Sequence, residues 1–155
     1  METQGEFEVK SAPEKVWNSI SDAKEFSKSL PNVKNIETNG DKFMIKFEVD
    51  IRKYTSRFLG ASYLSNMNTK FEGELKDKVQ NKHVAIDGTG YAMGMKFFIS
   101  LSVDIFPSQN GTKIIWKAEI GTGGLAKIFG ESTMEAAVKD TVGQIITNIE
   151  DRLNE

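Results

Sequence analysis

The sequence predicts an α+β fold of the order β-α-α-β6-α, with one curved antiparallel sheet of about seven strands whose dry face is covered by a long C-terminal helix. Three observations lead there. Apolar residues alternate with charged ones in segment after segment, Asn-Gly turns punctuate the alternation, and one apolar stripe at helical spacing runs from Glu131 to about Leu153. Strands of a parallel sheet buried on both faces read as continuous apolar runs, so a period of two argues for an antiparallel sheet with one wet face.

The elements follow in order. Phe7 and Val9 alternate with Glu6, Glu8 and Lys10 as a first strand. Ser11, ahead of Pro13 and Glu14, is the expected cap of a helix whose apolar side is Val16, Trp17 and Ile20. Asp22 is the expected cap of a second short helix carrying Ala23, Phe26 and Leu30, stopped by Pro31. Val33 to Thr38 reads as a strand pairing across Asn39-Gly40 with the run Phe43, Ile45, Phe47, Val49 and Ile51.

A meander continues. Met67, Phe71 and Leu75 mark one strand, and Val84 and Ile86 the next. Met95, Phe97, Ile99, Leu101, Val103 and Ile105 form the strongest stripe, and Gln109-Asn110-Gly111 turns it into Ile114, Trp116, Ala118 and Ile120. In the terminal helix Met134, Ala137, Val138, Val142, Ile145, Ile149 and Leu153 recur at steps of three and four. Leu125, Ile128 and Phe129 fall off that stripe, so Gly130 should mark a kink or a separate first turn. No repeat, linker or low-complexity stretch divides the 155 residues, which read as one domain.

Composition removes several kinds of chemistry. There is no cysteine and one histidine, which excludes disulfides, thiolate catalysis and Cys-ligated metals and leaves little for a His-based site. Twenty Lys plus Arg against 22 Asp plus Glu give a net charge of -2, too little positive field for nonspecific nucleic-acid binding. The start, with Glu2, Glu6 and Glu8 and no basic or apolar run, carries no leader pattern, so a cytoplasmic location is expected.

Catalytic candidates are sparse. His83 has the parity of the wet face, as do Glu48, Asp50, Glu72, Glu74, Asp87 and Glu119; on the dry face only Asp77, at a strand end, offers a carboxylate. A general acid and base facing one another are therefore not expected, and neither a metal nor a cofactor is implied. Gly121-Thr122-Gly123-Gly124 lacks the Lys and hydroxyl pair of a phosphate loop and reads as a tight strand-to-helix connection.

The helix stripe is small where a filled core would be large, at Ala137 and, one turn on, at Thr141. A Phe- and Ile-rich sheet face opposite it either fills the space with its own side chains or leaves a cavity. In the second case the lining is expected from Phe47, Phe71, Phe97, Ile99, Leu101 and Trp116 on the sheet and Met134, Ala137, Val138, Thr141 and Ile145 on the helix. Residues 52 to 64 interrupt the alternation and mix Arg52, Lys53 and Arg57 with aromatics. They read as a gate over that cavity, formed by Tyr54, Phe58, Leu59 and Tyr63, as a membrane-touching edge, as a partner site, or as a twisted continuation of the hairpin whose aromatics pack into the core.

Phe7-x-Val9, then Ala12-Pro13-Glu14-Lys15-Val16-Trp17, Asp22 and Leu30-Pro31 resemble the opening of the START-domain and birch-pollen-allergen superfamily, SRPBCC. Leu30-Pro31-Asn32, Gly88-Thr89-Gly90, Gly111-Thr112 and Gly123-Gly124-Leu125-Ala126 are similar, more narrowly, to the CoxG-like family, the G subunits of carbon monoxide dehydrogenase. The resemblance covers nearly the whole chain. It implies a helix-grip fold around a hydrophobic cavity, with lipid, sterol, quinone-like or polyketide ligands in the superfamily and some cyclases or hydrolases. For the narrower family it implies membrane recruitment of carbon monoxide dehydrogenase and carriage of a quinone to it. The segment 52 to 64 looks longer than that family's usual hairpin, and the chain shows no C-terminal extension of the kind some members use as an anchor.

The expectation is a noncatalytic binding protein for an apolar or amphipathic small molecule, cytoplasmic, with transient contact at the inner face of the membrane and a dehydrogenase complex as partner. The alternatives are a cyclase- or hydrolase-type enzyme, which needs an acid and a base facing the cavity, and an assembly or recruitment adaptor for a dehydrogenase.

Overall fold

The computed structural model describes residues 2–58 and 60–153. Seven strands, β1 Glu2–Val9, β2 Val33–Asn39, β3 Lys42–Val49, β4 Met67–Val79, β5 His83–Ala92, β6 Met95–Ser108 and β7 Gly111–Gly121, form one sheet in the order β1-β7-β6-β5-β4-β3-β2. Every neighbouring pair is antiparallel. Consecutive strands pair except at the edge, where the first strand adds to the last. The chain must therefore cross from one sheet edge to the other between β1 and β2. Helices α1 Pro13–Ile20 and α2 Ala23–Ser27 make that crossing and pack on the sheet at one end.

Local chemistry sets these elements. Ala12, not Ser11, is the cap residue of α1; its methyl offers no acceptor for a side-chain cap bond, while Pro13 in the first turn removes one N–H that would otherwise lack an intrahelical partner. Ser11 serves elsewhere: its carbonyl accepts a 2.6 Å hydrogen bond from Thr112 Oγ1, fixing the exit of β1 to β7. Asp22 caps α2 as expected, accepting from the amides of Lys24 at 2.8 Å and Glu25 at 3.4 Å. The Asn39-Gly40 turn joins β2 to β3, with Gly40 at φ 62°.

Large inward rings lie flat on neighbouring strands because those strands carry glycine. A Cβ on Gly90 would fall 1.9 Å from the Phe97 ring, and one on Gly5 would fall 2.5 Å from the Trp116 indole nitrogen. This is a physical reason for the glycines of Gly88-Thr89-Gly90: Gly88 lies in the same way under Phe71, at 2.1 Å.

The C-terminal part divides at Gly130, φ 90°, into a short helix α3 Gly124–Phe129 and the long α4 Glu131–Leu153. Leu125 and Phe129 of α3 are buried, so the residues off the long stripe have a core of their own, with Ile51, Leu64, Met67 and Ala92. At its other end α4 is tied to α2 and the turn after it. Arg152 donates to the Glu25 carbonyl at 3.0 Å, to Ser29 Oγ at 2.9 Å and to the Glu25 carboxylate at 2.9 Å, and Asn148 donates to the Ser29 carbonyl at 2.9 Å. Ile149 and the α1–α2 residues Val16, Ile20 and Phe26 belong to the main core there. Among the described residues, no helix is long and apolar enough to cross a membrane.

Candidate ligand-binding site

The two ends of the fold are closed, and its middle is not. Val84, Ile105 and Ile149 at one end are 0%, 2% and 1% exposed, and Ile51, Leu125 and Phe129 at the other are 1%, 1% and 2%. Between them Phe97, Ile99, Leu101 and Val103 of β6 remain half-buried, and so do Met134, Ala137, Val138, Thr141, Val142 and Ile145 of α4. Three separate clusters hold the helix in turn: Met134 and Ala137 pack toward Phe129 and Ile51, Val138 and Val142 toward Trp116, and Ile145 toward the main core. None of them buries the middle of α4 completely. The result is an apolar interior whose central surface protein atoms do not fully cover.

A cleft of about 60 Å³ enters beside α4, bounded by Leu30, Pro31, Ile45, Phe47 and Val49, with Asp50, Lys53, Tyr54, Thr141 and Gln144 at its polar side. Asp50 caps the turn that follows β3 by accepting from the Arg52 amide at 3.1 Å, and its pairing with the Arg52 guanidinium holds its carboxyl below the usual carboxylate range. Tyr54 donates to Asp140 of α4 at 2.6 Å, and Gln144 donates to the same carboxylate oxygen at 2.9 Å. Burial of the phenol, reinforced by the bond to Asp140 and the charges of Asp140 and Asp50, pushes the Tyr54 pKa well above the ordinary tyrosine value.

The larger hollow, about 1020 Å³, lies on the other side of the sheet. It is an open saddle on the solvated face, where Glu2, Glu37, Glu72, Glu74, Asp87 and Glu119 with Lys42 surround an apolar part that includes Met44 and exposed Phe98. Glu2 lies opposite Glu119 and Glu74 opposite Asp87, so like charges face one another across strands in open water. Volume alone does not make this the ligand site: an apolar molecule gains little from a charged wall that water already solvates.

The structure brings most of the expected lining together. Phe47, Phe97, Ile99, Leu101, Met134, Ala137, Val138, Thr141 and Ile145 are half-buried around the interior and its cleft. Phe71 and Trp116 are corrections to an expectation of accessible lining. They are 8% and 4% exposed and are occupied in packing, Phe71 between Phe43 and Phe97 and Trp116 on Gly5. Asp77 is also corrected: it is exposed, at φ 53° within a register shift of β4, and does not stand on the dry face. His83 is on the wet face, where Nδ1 lies 2.8 Å from Asp104.

Residues 51–64 are neither an extended loop nor a continued hairpin. They form three 3-10 turns, Ile51–Tyr54, Ser56–Phe58 and Ser62–Leu64, anchored by buried Ile51 and Leu64. Tyr54 is bonded to α4, and Phe58 packs edge-on against Phe129 with ring centroids 5.4 Å apart. Tyr63 is 75% exposed, and Leu59 lies outside the described residues. Sequence reasoning missed Asp140 and Gln144. The one available signal was their spacing of four on the polar side of the helix, flanking Thr141 of the apolar stripe.

The sequence profile of CoxG, the G subunit of carbon monoxide dehydrogenase, matches residues 5–154. The chain belongs to this family. No curated protein sequence matches it significantly. Solved structures similar to this CoxG-family chain include a conserved protein from Geobacillus kaustophilus, at 17% identity and a TM-score of 0.83 over 99% of this chain and 95% of that one. Mll3558 from Rhizobium loti aligns at 12% identity and a TM-score of 0.67 over 96% of both chains. NE0264 from Nitrosomonas europaea aligns at 14% identity and 0.65 over 99% of this chain and 94% of that one. At these identities the likeness concerns the fold, which is the helix-grip arrangement of an SRPBCC-like protein.

Proposed function

We propose that this CoxG-family protein is a noncatalytic carrier that holds an apolar or amphipathic small molecule, lipid- or quinone-like, between β6 and α4. The observation that supports it is the half-covered apolar middle of a fold whose two ends are fully buried. Burying about 200 Å² of ligand surface there contributes on the order of 5 kcal/mol, at roughly 25 cal/mol per Å², without any charged contact. The carboxylates at the cleft favour binding over acid-base chemistry, because Asp50 is held by Arg52 and Asp140 by Tyr54 and Gln144. The family supports delivery to a dehydrogenase of the carbon monoxide dehydrogenase type, with the carrier cytoplasmic and transiently peripheral at the membrane. Tyr63, Arg57 and Lys53, all exposed in the segment between β3 and β4, offer aromatic and basic groups for that contact.

Mass spectrometry of organic extracts of natively purified protein tests the proposal, together with binding of added quinones and lipids to the extracted protein. A stoichiometric apolar compound supports it. Empty extracts combined with no binding of either class would rule it out.

A further inference from the structure

The outer face of the sheet, opposite the interior and its cleft, carries two adjacent cross-strand rows at the floor of the open saddle. In the first, Met44, Glu72, Thr89, Phe98 and Gly121 stand side by side on β3 to β7. Phe98 is 53% exposed although Lys96 Nζ lies 5.2 Å from its ring centroid. A Cβ added to Gly121 would touch the Phe98 ring at 3.6 Å, so the glycine leaves that side of the ring uncovered. In the second row Glu74, Asp87, Ser100, Glu119 and Glu2 follow one another on β4, β5, β6, β7 and β1. At ordinary strand spacing its carboxylates extend over about 19 Å.

Little of this charge is neutralised within the chain. Lys70 lies 3.0 Å from Glu72 and Lys76 lies 3.5 Å from Asp87, which also accepts from Ser100. Among the described residues, Glu2, Glu37, Glu74 and Glu119 form no ion pair, and Lys42, opposite Glu74, is the one cation lining the hollow. Like charges directly opposite one another destabilise a sheet, and Glu2 with Glu119 and Glu74 with Asp87 are two such pairs. The exposed Phe98 ring adds apolar surface that gains by being covered. One kind of occupant relieves both: cations along the carboxylate row and an apolar side chain between Met44 and Phe98. A nucleic acid or an anionic bilayer is repelled by the same charge. A bare metal ion finds no converging group of three ligands among the described residues.

We propose that this face docks a protein segment carrying several Lys or Arg side chains around one large apolar residue. The apolar residue lies over Thr89 between Met44 and Phe98, and the cations lie along Glu74, Glu119 and Glu2. An extended segment of five residues reaches about 17 Å, close to the length of the carboxylate row. The cleft beside α4 is on the other side of the sheet, so a partner held here leaves it open, and the docking does not depend on what the interior holds.

Three fluorescent pentapeptides test this on the full chain at low salt: lysines around a central leucine, lysines around a central serine, and glutamates around a central leucine. The lysine–leucine peptide is expected to bind about fivefold more tightly than the lysine–serine peptide, and the glutamate peptide not to bind. A tenfold rise in salt should weaken both lysine peptides by about tenfold, because the carboxylates are exposed. Phe98→Ser should weaken the leucine peptide about fivefold and leave the serine peptide within about twofold. Glu74→Gln combined with Glu119→Gln should weaken both lysine peptides by about tenfold without lowering the Tm, because these carboxylates repel their cross-strand neighbours. Amide NMR shifts should centre on Met44, Thr89 and Phe98 and leave Tyr54 and Thr141 unmoved. Equal affinity of the two lysine peptides, unaltered binding in either variant, or shifts centred on the cleft would overturn the docking face. So would spermine binding as tightly as the leucine peptide and indifferent to Phe98→Ser, which would assign the face to a small polycation. A concentration-dependent dimer abolished by these variants would assign it to a second copy of the chain and overturn the proposal too. None of these outcomes touches the carrier reading, which the organic extracts decide.

Discussion

The phenol of Tyr54 donates a 2.6 Å hydrogen bond to Asp140, joining the first turn after β3 to the middle of α4 across 86 positions of sequence. Tyr54 also lines the cleft beside the helix, so in the proposed carrier, with this cleft as the entrance, the bond would lie across it. Breaking it is the least costly way to let the turn and the helix separate. Tyr54→Phe keeps the ring and removes the bond, and it should raise both the association and the dissociation rate of an apolar probe several-fold, with the ratio, and hence Kd, nearly unchanged. Stopped-flow fluorescence checks this. Unchanged rates would show that entry does not pass Tyr54.

The same bond has a signature in alkali. Burial, the bond to Asp140 and the nearby negative charges all favour the neutral phenol, so the folded protein holds this proton to higher pH than the unfolded chain, where tyrosine titrates near about 10. The contribution is therefore complete below about pH 10 and is lost as pH rises from there through the raised value in the fold. A phenolate absorbance titration should show a late step that Tyr54→Phe removes. A variant with an unaltered late step would place the perturbed phenol elsewhere.

At the other end of α4 the sign reverses. The Glu25 carboxyl is held below its usual value first by the Lys28 hydrogen bond and then by Arg152. A lowered carboxylate supports the fold above the unfolded value, about 4.3, and that support fades as pH falls through the folded value. Arg152→Gln should move the Glu25 titration part of the way back up while Lys28 retains the rest. A carbon NMR titration of the Glu25 carboxyl reads this directly, and an unmoved midpoint would show that the guanidinium is not coupled to it.

Two glycines should respond in opposite directions. A methyl on Gly90 would meet the Phe97 ring, so Gly90→Ala should destabilise by about 1–3 kcal/mol through overpacking. Gly143 sits within α4, and a Cβ added there would meet no other side chain within 4 Å, so Gly143→Ala should stabilise by about 1 kcal/mol through helix propensity alone. Urea unfolding of both variants checks the pair. A neutral Gly90→Ala would mean that Phe97 moves freely, as it would over an empty interior.

The strands were legible because period two is local. Phe43, Ile45 and Phe47, or Phe97 through Ile105, declare their inward face with no help from the rest of the chain, and Asn39-Gly40 and Gly130 mark their turns by backbone need alone. Inward parity does not say how well an inward side chain is covered. Trp116 and Ile99 share a face, yet one is buried and the other only half-buried, because coverage depends on how α4 is seated over the sheet. That seating is set by Arg152 on Glu25, Asn148 on Ser29 and Tyr54 on Asp140, contacts between residues 86 to 127 positions apart that no local pattern displays. The 3-10 turns were missed for a related reason. Short turns carry little periodicity, and buried Ile51 and Leu64 reveal their anchoring role only once α3 is in place.

Filling the interior separates an open middle from one that simply packs loosely. Ala137 is half-buried toward the Ile51–Phe129 cluster, and Thr141 lies one turn on, at the cleft, with its hydroxyl returned to the Ala137 carbonyl at 2.8 Å. A Phe at either position needs room that a filled core does not have. With space available, Ala137→Phe and Thr141→Phe should each leave the Tm within about 2 °C of wild type, because about 1 kcal/mol corresponds to about 2–4 °C in a chain of this size. The same rings should weaken an apolar probe by about tenfold or more, since they occupy the volume it would take. In a full core they would instead cost about 1–3 kcal/mol and leave probe affinity untouched. Thermal unfolding and probe titration on the same two variants therefore give opposite patterns, and a loss of stability with unchanged affinity would remove the interior between β6 and α4 as the binding site.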